Sequence, residues 1–225
     1  MSDLDGFHPQ AFTRADPEPD ALFYASPRFV EHLDAGAIAA VTQLYRTVLP
    51  EGGTVLDLMS SWISHLPPEM DFERVIGHGM NQEELDANER LDERFVRDLN
   101  LAPSLPLADR SLDAALCCAA VQYLTAPVGV FREVKRMLRP GAPFVITFSD
   151  RFFPTKAVAL WQALDDADRL KLLDVLLKRA GFDLIETGSV LPPPDDPAWR
   201  DPIHAVVARV SAEPDQVSDR DRPAP

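Results

Sequence analysis

The sequence predicts a single α/β domain: a doubly wound, seven-stranded, mostly parallel sheet with helices on both faces, three layers in all. Three observations predict it. Five short apolar runs alternate with segments long enough to hold a helix, and strands so separated pair in parallel through right-handed crossovers. Two further runs close the chain at its C-terminal end. With 225 residues, 46% of them hydrophobic, the chain can bury one full core.

The elements follow in order. Residues 1–22 carry several prolines and few large apolar side chains, which reads as a loosely held arm ahead of a domain spanning 23–210. Ser26-Pro27 has the form of a helix start, and Asp34 that of a cap for a second helix with Ile38, Val41, Leu44, Tyr45 and Val48 on one face. These two N-terminal helices, within 26–49, are expected to lid a pocket. Thr54–Leu58 is the first strand and ends near an acid, Asp57; Arg74–Gly77 is the second. Asn81 and Glu84 form a capping pair for a helix running toward Leu91. Phe95-Val96 begins a weak third strand, and 112–120 is the fourth. Pro127 starts a helix with Val130, Phe131, Val134, Met137 and Leu138 as its apolar positions, and Pro143–Phe148 is the fifth strand. A helix from Thr155 through Trp161 and another carrying Leu170, Leu173, Leu176 and Leu177, stopped by Gly181, precede final strands at 183–190 and 203–210. The tail, 211–225, is polar and acidic and reads as disordered.

Charge narrows the partners. The formal net charge is −14, with acids crowded at Asp3–Asp20 and Glu83–Glu93. Such a surface repels phosphate backbones and anionic membranes, so neither nucleic acid nor a membrane is the expected partner. No apolar run approaches the ~18 residues of a membrane span, and Met1–Asp5 lacks the basic and apolar regions of a secretory signal. A cytoplasmic location is the default. The only cysteines, Cys117 and Cys118, are adjacent in an apolar run. They read as small buried hydrophobes, and no metal site is expected.

Three segments carry a resemblance. Thr54–Leu58 resembles a first strand that ends in an acid before a glycine-rich turn. Leu105–Ala114 resembles an "LPF-D-SFDAV" stretch entering a fourth strand. Phe131–Ala142 resembles an "E-RVLKPGG" helix and turn. Together, in this order over residues 50–150, they resemble the class I S-adenosylmethionine-dependent methyltransferases, in particular the small-molecule branch called type 11. The resemblance implies a Rossmann-like fold, S-adenosylmethionine as cofactor and a small organic acceptor bearing an O, N or S nucleophile. One departure is prominent. Where the family has a G-x-G-x-G-like turn, this chain reads Met59-Ser60-Ser61-Trp62-Ile63-Ser64-His65, and the acid that ends the family's second strand is replaced by Gly77-His78-Gly79-Met80-Asn81. Two explanations stand: a variant pocket, or a domain that binds a ligand or partner without methyl transfer. Retained acids at Asp57 and Asp98 and the hydroxyls of Ser60, Ser61 and Ser64 favour the first. A protein methyltransferase with a basic target is a further alternative.

Methyl transfer is an in-line displacement that needs positioning and water exclusion more than a fixed motif. By resemblance, Asp57 orients the amino-acid part of the cofactor, Asp98 and the Leu99 amide meet the adenine, and Asn81 with Gly79 stands in for the ribose site. Ser60 and Ser61 supply hydroxyls from the turn. Gln122 and Tyr123, after the fourth strand, occupy the substrate-facing position, with Tyr123 and His65 as candidate catalytic groups. Phe23-Tyr24 are candidate lid residues, and Lys156 is either a contact for an anionic acceptor or a solvated lysine. In this reading, restoring glycine at 59 and 61 lowers stability at both sites.

Overall fold

The computed structural model describes residues 3–211; most of the acidic tail, 212–225, lies outside the described residues. Seven strands form one sheet: β1 (Thr54–Leu58), β2 (Arg74–Gly79), β3 (Glu93–Val96), β4 (Ala114–Cys118), β5 (Pro143–Phe148), β6 (Leu184–Val190) and β7 (Ile203–Arg209). Their order is β3-β2-β1-β4-β5-β7-β6. β1 to β5 pair in parallel, and β7 runs antiparallel to both β5 and β6. The doubly wound, mostly parallel sheet expected from the alternation is what forms. Chain order reverses between β1 and β4, the switch point where the carboxyl ends of parallel strands leave a crevice.

Side chains alternate across each strand, so the central strands feed two cores. Leu56, Leu58, Ile76, Cys117, Ile146 and Phe148 face one side, under helices α4 (Pro127–Met137) and α6 (Asp166–Ala180). Val55, Val75, Ala114, Leu116 and Val145 face the other, under Val41 and Tyr45 of α2 (Ala35–Val48). Asp34 caps α2 by accepting from the Ala37 N–H, and Gly181 ends α6 at φ 90°, a left-handed turn that costs glycine nothing. No described helix is long and apolar enough to cross a membrane.

Several local expectations are overruled by distant partners. Ser26-Pro27 does not start a helix. The N-terminal helix is instead a single turn, α1 (Asp20–Phe23), and residues 24–33 run without regular structure. Their backbone groups are taken elsewhere: Glu84 accepts from the Arg28 N–H at 2.7 Å, and the Asn81 amide donates to the carbonyls of Tyr24 and Ala25. α3 (Gln82–Ala87) stops short of Leu91 because Asn88, buried at its end, donates to the Ser61 carbonyl and the Ser64 hydroxyl. The helix expected from Thr155 begins at Ala159, as α5 (Ala159–Ala163). The N–H groups of Ala159 and Leu160 donate to Thr13 and Ala11.

Those contacts also correct the reading of the N-terminal arm. Ala11 and Phe12 are buried in the core, and Arg14 bridges to Val158. Lys156, expected at an acceptor or in solvent, is fully buried. Its Nζ lies 3.0 Å from Asp16, 3.3 Å from Asp20 and 2.8 Å from the Glu18 carbonyl. Arg14 holds the same Asp20 at 2.7 Å. The segment is strapped down by a buried ion cluster, which its polar composition disguised.

Candidate functional site

The turn after β1 decides the shape of the site. Met59 sits at φ 58°, the left-handed region that favours glycine. Two contacts hold it there. The Met59 N–H donates to His78 Nδ1 at 3.2 Å, and the Ser60 N–H donates to the His78 carbonyl. His78 therefore carries its proton on Nε2, which donates to the Arg97 carbonyl at 2.8 Å. Burial drives its pKa down to about 4, so the ring is neutral. His78 is a strut between the β1 turn and the loop after β3. Gly79 is required for a related reason: a Cβ there would lie 2.6 Å from the Ser60 carbonyl oxygen.

No helix follows this turn; residues 59–73 are irregular, with Leu66 and Met70 buried against the second core. Met59 packs toward the first core, whereas Trp62 turns outward, donating to the Val30 carbonyl at 3.1 Å and meeting Phe29 edge to face. The serines turn inward. Ser60 Oγ donates to Asp57 at 2.7 Å, and Ser64 Oγ donates to the same carboxylate oxygen. Asp57 is buried, and desolvation raises its pKa against these two bonds.

The positive φ revises the expectation for restored glycines. At 59, glycine should be more stable than alanine by about 1 kcal/mol, because the left-handed conformation penalises any Cβ. At 61, where φ is not positive and Ser61 Oγ donates to Glu84 at 2.6 Å, glycine should cost about 1–2 kcal/mol through the lost bond and added unfolded-state freedom. Urea melts of Met59→Ala, Met59→Gly and Ser61→Gly check this; alanine at least as stable as glycine at 59 would refute the strained turn.

Above the carboxyl ends of β1, β2 and β4 lies a cavity of about 470 Å³, within the ~300–1,000 Å³ typical of small-molecule sites. Asp57, Ser60, Ser61, His65, Gly79, Asn81, Asp98, Leu99 and Tyr123 all line it. Asp98 accepts from the Asn100 N–H through Oδ1, while the adjacent Leu99 N–H has no partner among the described residues. A carboxylate and a free amide thus stand side by side. Tyr123 stacks on Phe153 at 5.9 Å and accepts from the Phe153 N–H; burial raises its pKa. His65 has a buried Nδ1 without a partner among the described residues, and burial lowers its pKa, leaving it neutral.

Two expected residues do not serve as supposed. Gln122 is not on the cavity wall; its amide donates to the Ala119 carbonyl, and it faces Phe12 and Trp161 instead. The short 3-10 turn at Val121–Tyr123 sends consecutive side chains to different sides. Asn81 lines the cavity, but Oδ1 caps α3 at the Glu84 N–H and Nδ2 is spent on Tyr24 and Ala25. The carboxylate beside the β2 end is Glu84, buried, accepting from Ser61 Oγ and the Arg28 N–H. In the sequence it reads only as the partner of a capping pair. Cys117 and Cys118 are unpaired; burial pushes the Cys118 thiol up to about 11, so it stays protonated. No cluster of three or more metal-ligating side chains occurs among the described residues.

A family profile described as "Methyltransferase domain" matches residues 60–146, the span from the β1 turn through β5 that builds this cavity. Over that span the chain is similar to methyltransferase domains. A malonyl-[acyl-carrier protein] O-methyltransferase of Marinomonas sp. (strain MWYL1) is 34% identical over 70 residues, covering 31% of this chain and 26% of that protein; the match spans about a quarter of the relative's length. The structure of a possible histamine N-methyltransferase from Thermotoga maritima shares the fold at a TM-score of 0.58 and 18% identity, over 77% of this chain and 88% of that one. Haemonchus contortus phosphoethanolamine N-methyltransferase 2, in complex with S-adenosyl-L-methionine, shares it at 0.57 and 14%, over 79% and 53%. S-adenosyl-L-methionine is the molecule bound in that last structure, and the donor set of the present cavity suits it in two places. The Asp98 carboxylate and the Leu99 N–H have the polarity to meet the amine and ring nitrogen of an adenine edge, and Asp57 Oδ1, which has no partner among the described residues, could take an ammonium.

Proposed function

We propose that the protein moves a methyl group from S-adenosylmethionine to a small organic acceptor, in the cytoplasm, inside the cavity above β1 and β4. The observation that carries this reading is the gathering of the Asp98–Leu99 pair, Asp57, Tyr123 and His65 around one cavity at the switch point of the sheet. Asp98 and Leu99 would hold the adenine and Asp57 the amino group, with Glu84 rather than Asn81 beside the ribose. The cofactor supplies an electrophilic methyl on a sulfonium. The protein orients the nucleophile and keeps water out, with His65, neutral at pH 7, available to take a proton from it. Enclosure by residues 24–33 and Phe152-Phe153 favours a small acceptor over a protein side chain.

S-adenosylhomocysteine is expected to raise the melting temperature by a few degrees, since a ligand that binds only the folded state stabilises it by mass action. Calorimetric titration gives the affinity. Absence of both signals at millimolar ligand would sink the reading.

A further inference from the structure

Among the described residues, Arg28 on the cavity wall has no counter-ion. Arg28, on the irregular segment between α1 and α2, lies in an aromatic box: its guanidinium carbon is 4.5 Å from the Phe23 ring centroid and 5.5 Å from that of Phe153. Nη2 donates to the Phe23 carbonyl at 2.7 Å, but Nη1 is buried with no partner among the described residues. Among the described residues no carboxylate forms an ion pair with it. The nearby acids are engaged: Glu84 takes the Arg28 backbone N–H and the Ser61 hydroxyl, and Asp20 is held by Arg14, Lys156 and Asn100.

In a chain of net charge −14, an unpaired guanidinium with a buried, unbonded N–H is costly unless something completes it. Aromatic faces stabilise the cation but take no hydrogen bond, so a donor is left over. Arg151, on the same wall and mostly exposed, adds positive charge, with one loose 3.9 Å contact to Asp201. The ring of Phe153, stacked on Tyr123, offers a flat apolar surface next to this charge.

We propose that Arg28 anchors an anionic group, a carboxylate or a phosphate, carried by the methyl acceptor, whose flat apolar part lies against Phe153 and Tyr123. The anion is a handle and not the atom that receives the methyl. A planar guanidinium suits either oxyanion, and a rotation about the outer side-chain bonds turns Nη1 from the rings to the cavity. The identity of the ligand as an acceptor rests on the methyl-transfer reading above; the anion site does not.

Titration of the full chain with benzoate, phenyl phosphate and uncharged benzyl alcohol, each with and without saturating S-adenosylhomocysteine, tests it. At least one anion should bind about tenfold or more tightly than the alcohol, and Arg28→Met should abolish that preference while S-adenosylhomocysteine affinity stays within about twofold. Arg28→Lys keeps the charge and the aromatic contacts, guards against a folding defect, and should bind the anion several-fold more weakly. Whichever anion binds tighter identifies the oxyanion class. Equal binding of the alcohol, anion affinity unchanged in Arg28→Met, or no anion binding would overturn the proposal. Arg28-dependent anion binding without S-adenosylhomocysteine binding would leave this site standing and remove the cofactor reading; the reverse result would do the opposite.

Discussion

Replacing Lys156 with methionine is expected to lower the unfolding free energy by about 3 kcal/mol, the lower end of what removing one member of a buried ion cluster costs. The side chain is fully buried, so methionine preserves most of the packing and isolates the charge. What remains is Asp20, buried, and Asp16, partly exposed, without their shared ammonium. Arg14 still pairs with Asp20, which is why the lower end applies. For a chain of this size the loss corresponds to a fall of roughly 6–12 °C in melting temperature. Urea melts with an unchanged m-value check it; a loss below about 1 kcal/mol would mean that the strap is held by Ala11 and Phe12 rather than by charge. Because Asp20 and Tyr24 line the cavity at the end of this strap, the variant should also bind S-adenosylhomocysteine more weakly.

Substituting Asp98 by alanine should weaken S-adenosylhomocysteine binding by about 1–3 kcal/mol, roughly fivefold to 150-fold, if its carboxylate accepts from the adenine amine in a buried site. Alanine also removes the acceptor for the Asn100 N–H, and Asn100 in turn positions Thr125, Tyr123 and Asp20. Asp98→Asn separates the two effects. Its amide oxygen can keep the Asn100 bond, leaving an NH₂ donor facing the cavity where an acceptor is needed. The asparagine variant should therefore melt like the parent and still lose affinity. Full affinity in Asp98→Asn would show that the carboxylate does not meet the adenine.

What the sequence by itself determined is the part of the molecule written in local patterns. Strand runs, Asp34 and Asn81 as caps, Gly181 as a helix stop and the alternation that makes the sheet parallel depend on residues a few positions apart, and all appear in the structure. The stretches leading to β4 and β5 carried the family resemblance in the same way, and Asp57, Asp98 and Tyr123 reach the cavity because strand ends do. Tertiary structure alone decided which of those polar groups stay free. Asn81 is consumed by carbonyls 56 and 57 residues away, Lys156 by a carbonyl 138 away, and Glu84 is bound to the Arg28 N–H 56 away. A side chain of fixed type has a fixed number of donors and acceptors, but the partners that exhaust them arrive only when distant segments pack. For the same reason the glycine-free turn reads as a lost motif in the sequence. In the fold it is a strained bend held by His78, with two serines satisfying a buried carboxylate.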